Sequence, residues 1–176
     1  EKASRHLYSR YDIDENTMVV INGDRANWIR KGVEYFPKAI YQVDRFHIKR
    51  DLRRLLKGTK ELRVCLEALQ RSDTEALVRS LTRAREKTKA ATGDLTRFAQ
   101  INDLLQDIRK MPDAYKDYRV RLKEMGYDIS GMRGMGAAES NVDKFSNRLK
   151  KRGQSWSVQG LKAMVHSLVK YFEGKL

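Results

Sequence analysis

The chain has one cysteine, Cys65, in 176 residues. No disulfide can form within it, and no Cys/His cluster has the spacing of a structural zinc site. Long apolar runs are missing too: none approaches the roughly 20 residues that span a bilayer, which leaves no membrane partner to expect. The first residues, "EKASRHLYSR", lack the apolar stretch of a secretory signal. A reducing, cytoplasmic setting is therefore expected. Only two prolines occur, Pro37 and Pro112, one placed to end a helix and one to begin the next. There is no P-loop, nucleophile elbow, dinucleotide fingerprint, internal repeat or low-complexity tract.

Acidic residues are also in deficit, with 23 Asp and Glu against 37 Lys and Arg, a net charge of +14. Such an excess attracts polyanions, nucleic acid above all, although it can also serve only to keep a surface soluble. The charge is clustered. "HIKRDLRRLLKG" carries Lys49, Arg50, Arg53, Arg54 and Lys57, and "NRLKKRGQSW" carries Arg148, Lys150, Lys151 and Arg152. These nine are the candidate phosphate contacts.

Hydrophobic periodicity gives an α/β chain that is predominantly helical. "TMVVIN" (17–22) and "AIYQV" (39–43) read as short buried strands. Between them, "RANWIRKGVEYF" (25–36) reads as one helix, with Trp28, Ile29, Val33 and Phe36 at helical spacing. "RFHIKRDLRRLLKG" (45–58) follows as a helix burying Phe46, Ile48, Leu52, Leu55 and Leu56. Strand–helix–strand–helix in so few residues implies a parallel pair with a crossover helix. Residues 1–16 read as polar and irregular, with a turn at "DIDEN". The three segments are 1–58, a partial βαβα core; 59–126, an all-helical block; and 127–176, a glycine-rich loop and C-terminal helices. One of those helices begins near Ala137 and carries Glu139. The other begins near Ser155–Ser157 and buries Leu161, Met164, Val165, Leu168 and Val169.

Asp24 and Asp44 each stand just past the carboxyl end of a strand, where open α/β sheets gather functional groups. Two carboxylates there repel unless a divalent cation lies between or beside them. Both also directly precede helices, where Asp is a favoured N-cap, so the bland reading stays open. His47 lies one helical turn after Asp44 and is either an acid–base or metal group or a packed or solvent-facing histidine. Glu139, in the first turn of its helix, is a further acid or a carboxylate favoured by the helix dipole. Cys65, among leucines, reads as a small core residue. Trp28 and Trp156 read as packing anchors, and Trp156, beside a basic run, can also stack on a base.

"NGDRANWI", "VDRFHIKRDL" and "GMGAAESNVDKFSNRLKKRGQSWSVQGLKAM" together resemble bacterial insertion-sequence transposases of the ISLre type, relatives of the Mutator-like transposases, from about residue 17 to about residue 168. The resemblance implies an RNase H-like DDE catalytic domain that cuts and joins DNA with two Mg²⁺ or Mn²⁺ ions. By the match, Asp24 is the second acid of the triad and Glu139 the third. Asp44 and His47 fit a C/DxxH motif that supports the site, and the helical block is an insertion between the second and third acids. The family's first acid lies on an earlier strand, and Asp12 and Asp14 sit in a polar turn that does not supply it. The chain thus resembles the C-terminal portion of such a transposase. Arg25 stands where the family more often has glycine.

Three functions compete: a segment of a DNA transposase catalytic core, a non-catalytic basic module that binds nucleic acid, and a helical domain whose middle block drives self-association into a homo-oligomer.

Overall fold

A computed structural model describes residues 2–91, 93–136, 144–150 and 153–175. The chain forms two compact units, Glu1–Arg133 and Gly134–Leu176. Among the described residues it is predominantly helical with one two-stranded parallel sheet. No described helix is long and apolar enough to cross a membrane.

In the first unit, helix α1 (Lys2–Arg10) leads to β1 (Met18–Gly23), and a short α2 (Asn27–Arg30) runs into a 3₁₀ turn (Lys31–Tyr35) before β2 (Lys38–Val43). α1 falls where the sequence reads as irregular. Its inward face offers little aliphatic surface, and the chain instead stacks Tyr8 on Phe36, with ring centroids 5.7 Å apart. The expected turn is present: Asp14 accepts hydrogen bonds from the Asn16 and Thr17 amides at 2.9 and 2.8 Å. The single helix expected over 25–36 is broken in two. Pro37 forces Phe36 into an extended conformation, φ −133° and ψ 143°, and the turn before it tightens to 3₁₀ geometry.

β1 and β2 pair in parallel, Met18 opposite Lys38 through Gly23 opposite Val43. Side chains alternate between the two faces of a strand, and the pair uses both. Ile21, Tyr41 and Val43 face a core built with α3 (Arg45–Leu55), α4 (Lys60–Gln70), α5 (Thr74–Ala91), α6 (Leu95–Lys110) and a 3₁₀ turn (Pro112–Tyr115). Met18, Val20 and Ile40 face the opposite way, towards Tyr118 and Leu122 of α7 (Tyr118–Glu124). Leu52, Leu77, Leu81, Leu104 and Leu105 are fully enclosed in the larger core, each stabilising the fold by roughly 1.5–3 kcal/mol. Cys65 lies in that core, where burial pushes its thiol pKa up to about 12 and Glu61 adds to the shift.

Two expected core residues point outward. Phe46 is 55% exposed and Trp28 77% exposed. Phe46 is in the first turn of α3, ahead of the Ile48–Leu52–Leu55 stripe that faces the core. Trp28 is on a helix only four residues long, whose inward position is taken by Ile29.

In the second unit, helical residues 144–149 (α8) precede α9 (Val158–Phe172), which Ser157 caps by accepting from the Gly160 amide at 3.0 Å. Phe145 and Tyr171 each meet Phe172 edge-on, with centroids 5.4 Å apart. Of the five α9 residues expected to be buried, only Leu168 is, and Leu161, Met164 and Val169 stay more than a third exposed.

Candidate active site at the carboxyl end of the sheet

The strands end in the same pattern, Asn22-Gly23-Asp24 and Gln42-Val43-Asp44, and the register sets these triplets side by side. The Asp44 amide donates to the Gly23 carbonyl at 2.7 Å and carries the pairing one residue past the strands. From there the two aspartates part.

Asp44 turns inward, at 4% exposure. It is the N-cap of α3: its Oδ1 accepts from the Phe46 and His47 amides at 2.9 and 3.0 Å and lies 3.1 Å from His47 Nδ1. Its Oδ2 accepts from Asn22 Nδ2 at 2.6 Å. Burial pushes the Asp44 pKa up, but the hydrogen bonds from His47, Asn22 and Phe46 outweigh it and hold the carboxyl below its ordinary value. Asn22 Oδ1 in turn accepts from Gln42 Nε2 at 2.9 Å, and Gln42 Oε1 accepts from the Tyr118 amide at 2.5 Å. A polar chain, buried at Gln42 and Asp44 and half-buried at Asn22 and His47, thus runs from the start of α7 to His47. His47 is thereby a packed and oriented residue, with its ring edge at the site.

Asp24 turns outward and is exposed. It caps no helix, contrary to the bland expectation: the α2 N-cap is Ala26, which makes no side-chain cap bond. Asp24 Oδ1 accepts from the Ala26 amide at 2.9 Å, closing a tight turn. With Arg25, His47, Arg50 and Asp51 it lines a cleft of about 310 Å³. Arg25 is held there by Asp103 of α6, Nη1 to Oδ2 at 3.0 Å.

Four residues that carry no motif of their own in the sequence surround this loop: Tyr41, Arg30, Asp107 and Tyr115. The Tyr41 hydroxyl donates to the Gly23 carbonyl at 3.2 Å and, closer still, to the Asp24 carbonyl. Arg30 lies over the Tyr41 ring, 5.8 Å from its centroid, and pairs with Asp107 of α6, which also accepts from the Tyr115 hydroxyl. The repeated polar–x–Asp ending of the two strands is a signal for Asn22 and Gln42. For the Arg30–Asp107 pair the sequence holds none.

Among the described residues, no three His, Cys, Asp or Glu side chains stand close enough to hold one metal ion. Asp24 and Asp51 both offer the cleft a hard oxygen donor of the kind Mg²⁺ takes, and Asp51 also lies 3.9 Å from Arg50 and 3.7 Å from Arg54. Glu139 lies outside the described residues, as do Lys151 and Arg152. Of the basic candidates, Arg50, Arg53 and Arg54 are exposed along α3, Lys57 is exposed in the turn after it, and Lys49 is half-buried. Arg54 reaches Gln100 of α6 at 3.4 Å. Arg148 and Lys150 are exposed, and the Arg148 guanidinium lies over the Phe172 and Tyr171 rings at 5.3 and 5.6 Å. Trp156 donates from Nε1 to the Leu149 carbonyl at 3.0 Å and so anchors its own unit.

The profile of UPF0236, an uncharacterised protein family, matches residues 1–176. The chain belongs to that family. A UPF0236 protein of Caldanaerobacter subterraneus subsp. tengcongensis is 23% identical to it over 164 residues, 92% of this chain and 32% of that protein. The chain therefore spans about a third of the length of this curated relative, whose name carries eleven locus designations. No solved structure matches the chain.

Proposed function

We propose that this UPF0236 chain is a C-terminal part of the catalytic domain of an ISLre-type DNA transposase with an RNase H-like core. The observation that carries this reading is the divergence of the two aspartates. Asp44 is spent on capping α3 and holding His47, whereas Asp24, one residue past the carboxyl end of a parallel strand, caps no helix and faces a cleft that Arg25, Arg50 and Asp51 also line. Both Asp44 oxygens are engaged in the fold, whereas Asp24 engages only Oδ1, with the Ala26 amide. The eleven loci named for the Caldanaerobacter relative also support the reading, because repeated copies in one genome are what a mobile element leaves.

In this reading Asp24 and Glu139 are two of three acids that would hold Mg²⁺ or Mn²⁺, the first acid lying on a strand outside residues 1–176. When bound, such ions lower the pKa of an attacking water or 3′-hydroxyl and stabilise the leaving oxygen. The chain's own residues do the rest. Arg25 and Arg50 flank the cleft and neutralise phosphates of the strand in it, and the exposed Arg53 and Arg54 of α3, with Lys57 just past its end, extend that contact. Asp44 fixes which edge of His47 faces the cleft.

A second reading, a basic nucleic-acid-binding module without catalysis, is favoured by the same exposed α3 arginines. DNA cleavage by the full-length protein separates the two. Cutting of its own element ends in Mg²⁺, abolished in Asp24→Asn and in Glu139→Gln while DNA binding persists, is expected of the transposase. DNA binding without cutting at any metal concentration would leave the binding module.

A further inference from the structure

Tyr41 lies in the middle of β2, enclosed in the main core with only its hydroxyl reaching the carboxyl end of the sheet. A buried tyrosine needs an acceptor for its hydroxyl. Here the acceptors are the carbonyls of Gly23 and Asp24, on the neighbouring strand's last residue and the one after it. The Asp24 turn is otherwise held by the Ala26 amide bond to Oδ1, the Asp44 amide bond to the Gly23 carbonyl and the Arg25–Asp103 pair, and Tyr41 ties the Asp24 carbonyl itself to the core.

Tyr41 is itself held. The Arg30 guanidinium lies over its ring, and both terminal nitrogens of Arg30 donate to Asp107, at 2.8 Å each. Tyr115, from the 3₁₀ turn after α6, donates its hydroxyl to the same carboxylate. The line Tyr115–Asp107–Arg30–Tyr41 starts in the helical block and ends on the Asp24 backbone.

We propose that Tyr41 is a positioning residue for the Asp24 carboxylate, set in place by Asp107 of α6 through Arg30. The inference rests on the reading of Asp24 as a metal-binding acid. It gives the helical block a task at the site: α6 fixes the orientation of an acid that it does not touch.

Tyr41→Phe in the full-length protein tests this, because it removes the hydroxyl and leaves the ring under Arg30. Hydrogen exchange followed by mass spectrometry reads the Asp24 turn without metal or DNA. The peptide covering residues 22–28 is expected to exchange about 3- to 10-fold faster, as one hydrogen bond is removed, while peptides from α6 stay unchanged. DNA cleavage is expected to fall about 10-fold in kcat with KM for DNA unchanged, as for a misplaced catalytic group, and half-maximal activity should need more Mg²⁺. Asp107→Asn, a change on α6, should speed exchange of the same 22–28 peptide. Unchanged exchange at 22–28 in Tyr41→Phe overturns the inference. Faster exchange there supports it even if the wild-type protein cuts no DNA, an outcome that defeats the transposase reading instead.

Discussion

Asp107 and Arg30 meet through two parallel hydrogen bonds, Nη1 to Oδ1 and Nη2 to Oδ2, both 2.8 Å long, across 77 residues of sequence. Their side chains are only 16% and 15% exposed. The pair joins the helical block to the short helix that follows Asp24, so with Arg25–Asp103 the block and the sheet region share electrostatic links as well as one apolar core.

Breaking this pair from one side leaves a charge without its partner. Asp107→Ala is expected to cost about 3 kcal/mol of stability, because a largely enclosed guanidinium then stands unpaired. Replacing both partners, Arg30→Met with Asp107→Leu, should recover most of that deficit. Urea unfolding of the two variants checks the difference.

Acid should weaken the fold through Asp44. Its folded-state pKa is depressed, so its contribution is present above the ordinary carboxyl value of 3.8 and is lost as pH falls below that towards the depressed value. Asp44→Asn is expected to be less stable than wild type at neutral pH and to show a flatter decline in acid. Urea unfolding at a series of pH values between about 2.5 and 6 measures both slopes.

Gly23 is constrained by space. A Cβ there would sit 2.6 Å from Ile29 Cγ2 and 3.1 Å from its Cδ1. Gly23→Ala should therefore cost about 1–3 kcal/mol by overpacking. Gly32→Ala meets only the Cδ1 tip of Ile21, at 2.9 Å, which can swing aside, so its cost should stay under about 1 kcal/mol. Thermal unfolding of both variants tests the contrast.

DNA affinity should follow the exposed face of α3. Arg50→Glu and Arg54→Glu are each expected to weaken binding and to lower the slope of log affinity against log salt by about 0.9 for each phosphate that is no longer neutralised. Titrations of duplex DNA at several salt concentrations give the slope.

The strands, their parallel pairing and the main helices were legible because each has a strong local signal: β-branched runs closed by Gly23 and Val43, the Asp44 cap, and the Leu52–Leu55–Leu56 stripe. α1 was not, since Ser4, Leu7 and Tyr8 make too thin an apolar stripe to read as a helix. Trp28 and Phe46 were misplaced because residue type argued for burial where the helix face argued against it. At the site, Asp24 and Asp44 looked alike in sequence, each an aspartate before a helix. Only the geometry separates them, since the exposed Asp24 folds back on Ala26 while Asp44 turns inward onto Asn22 and His47. Arg30, Tyr41, Asp107 and Tyr115 were invisible because no local pattern encodes their contacts, and the Arg30–Asp107 pair that joins them spans 77 residues.

Iron-directed backbone cleavage of the full-length protein tests Asp24 as a metal-binding acid most directly. Fe²⁺ bound in place of Mg²⁺ produces radicals that cut the nearest peptide bonds, and mass spectrometry locates the cuts. Cuts are expected beside both Asp24 and Glu139, competed away by Mg²⁺ and absent at both places in Asp24→Asn, a substitution at an exposed side chain that should change stability by less than about 0.5 kcal/mol. Absence of cuts near Asp24 in the wild-type protein, or cuts that persist unchanged in Asp24→Asn, would contradict the assignment.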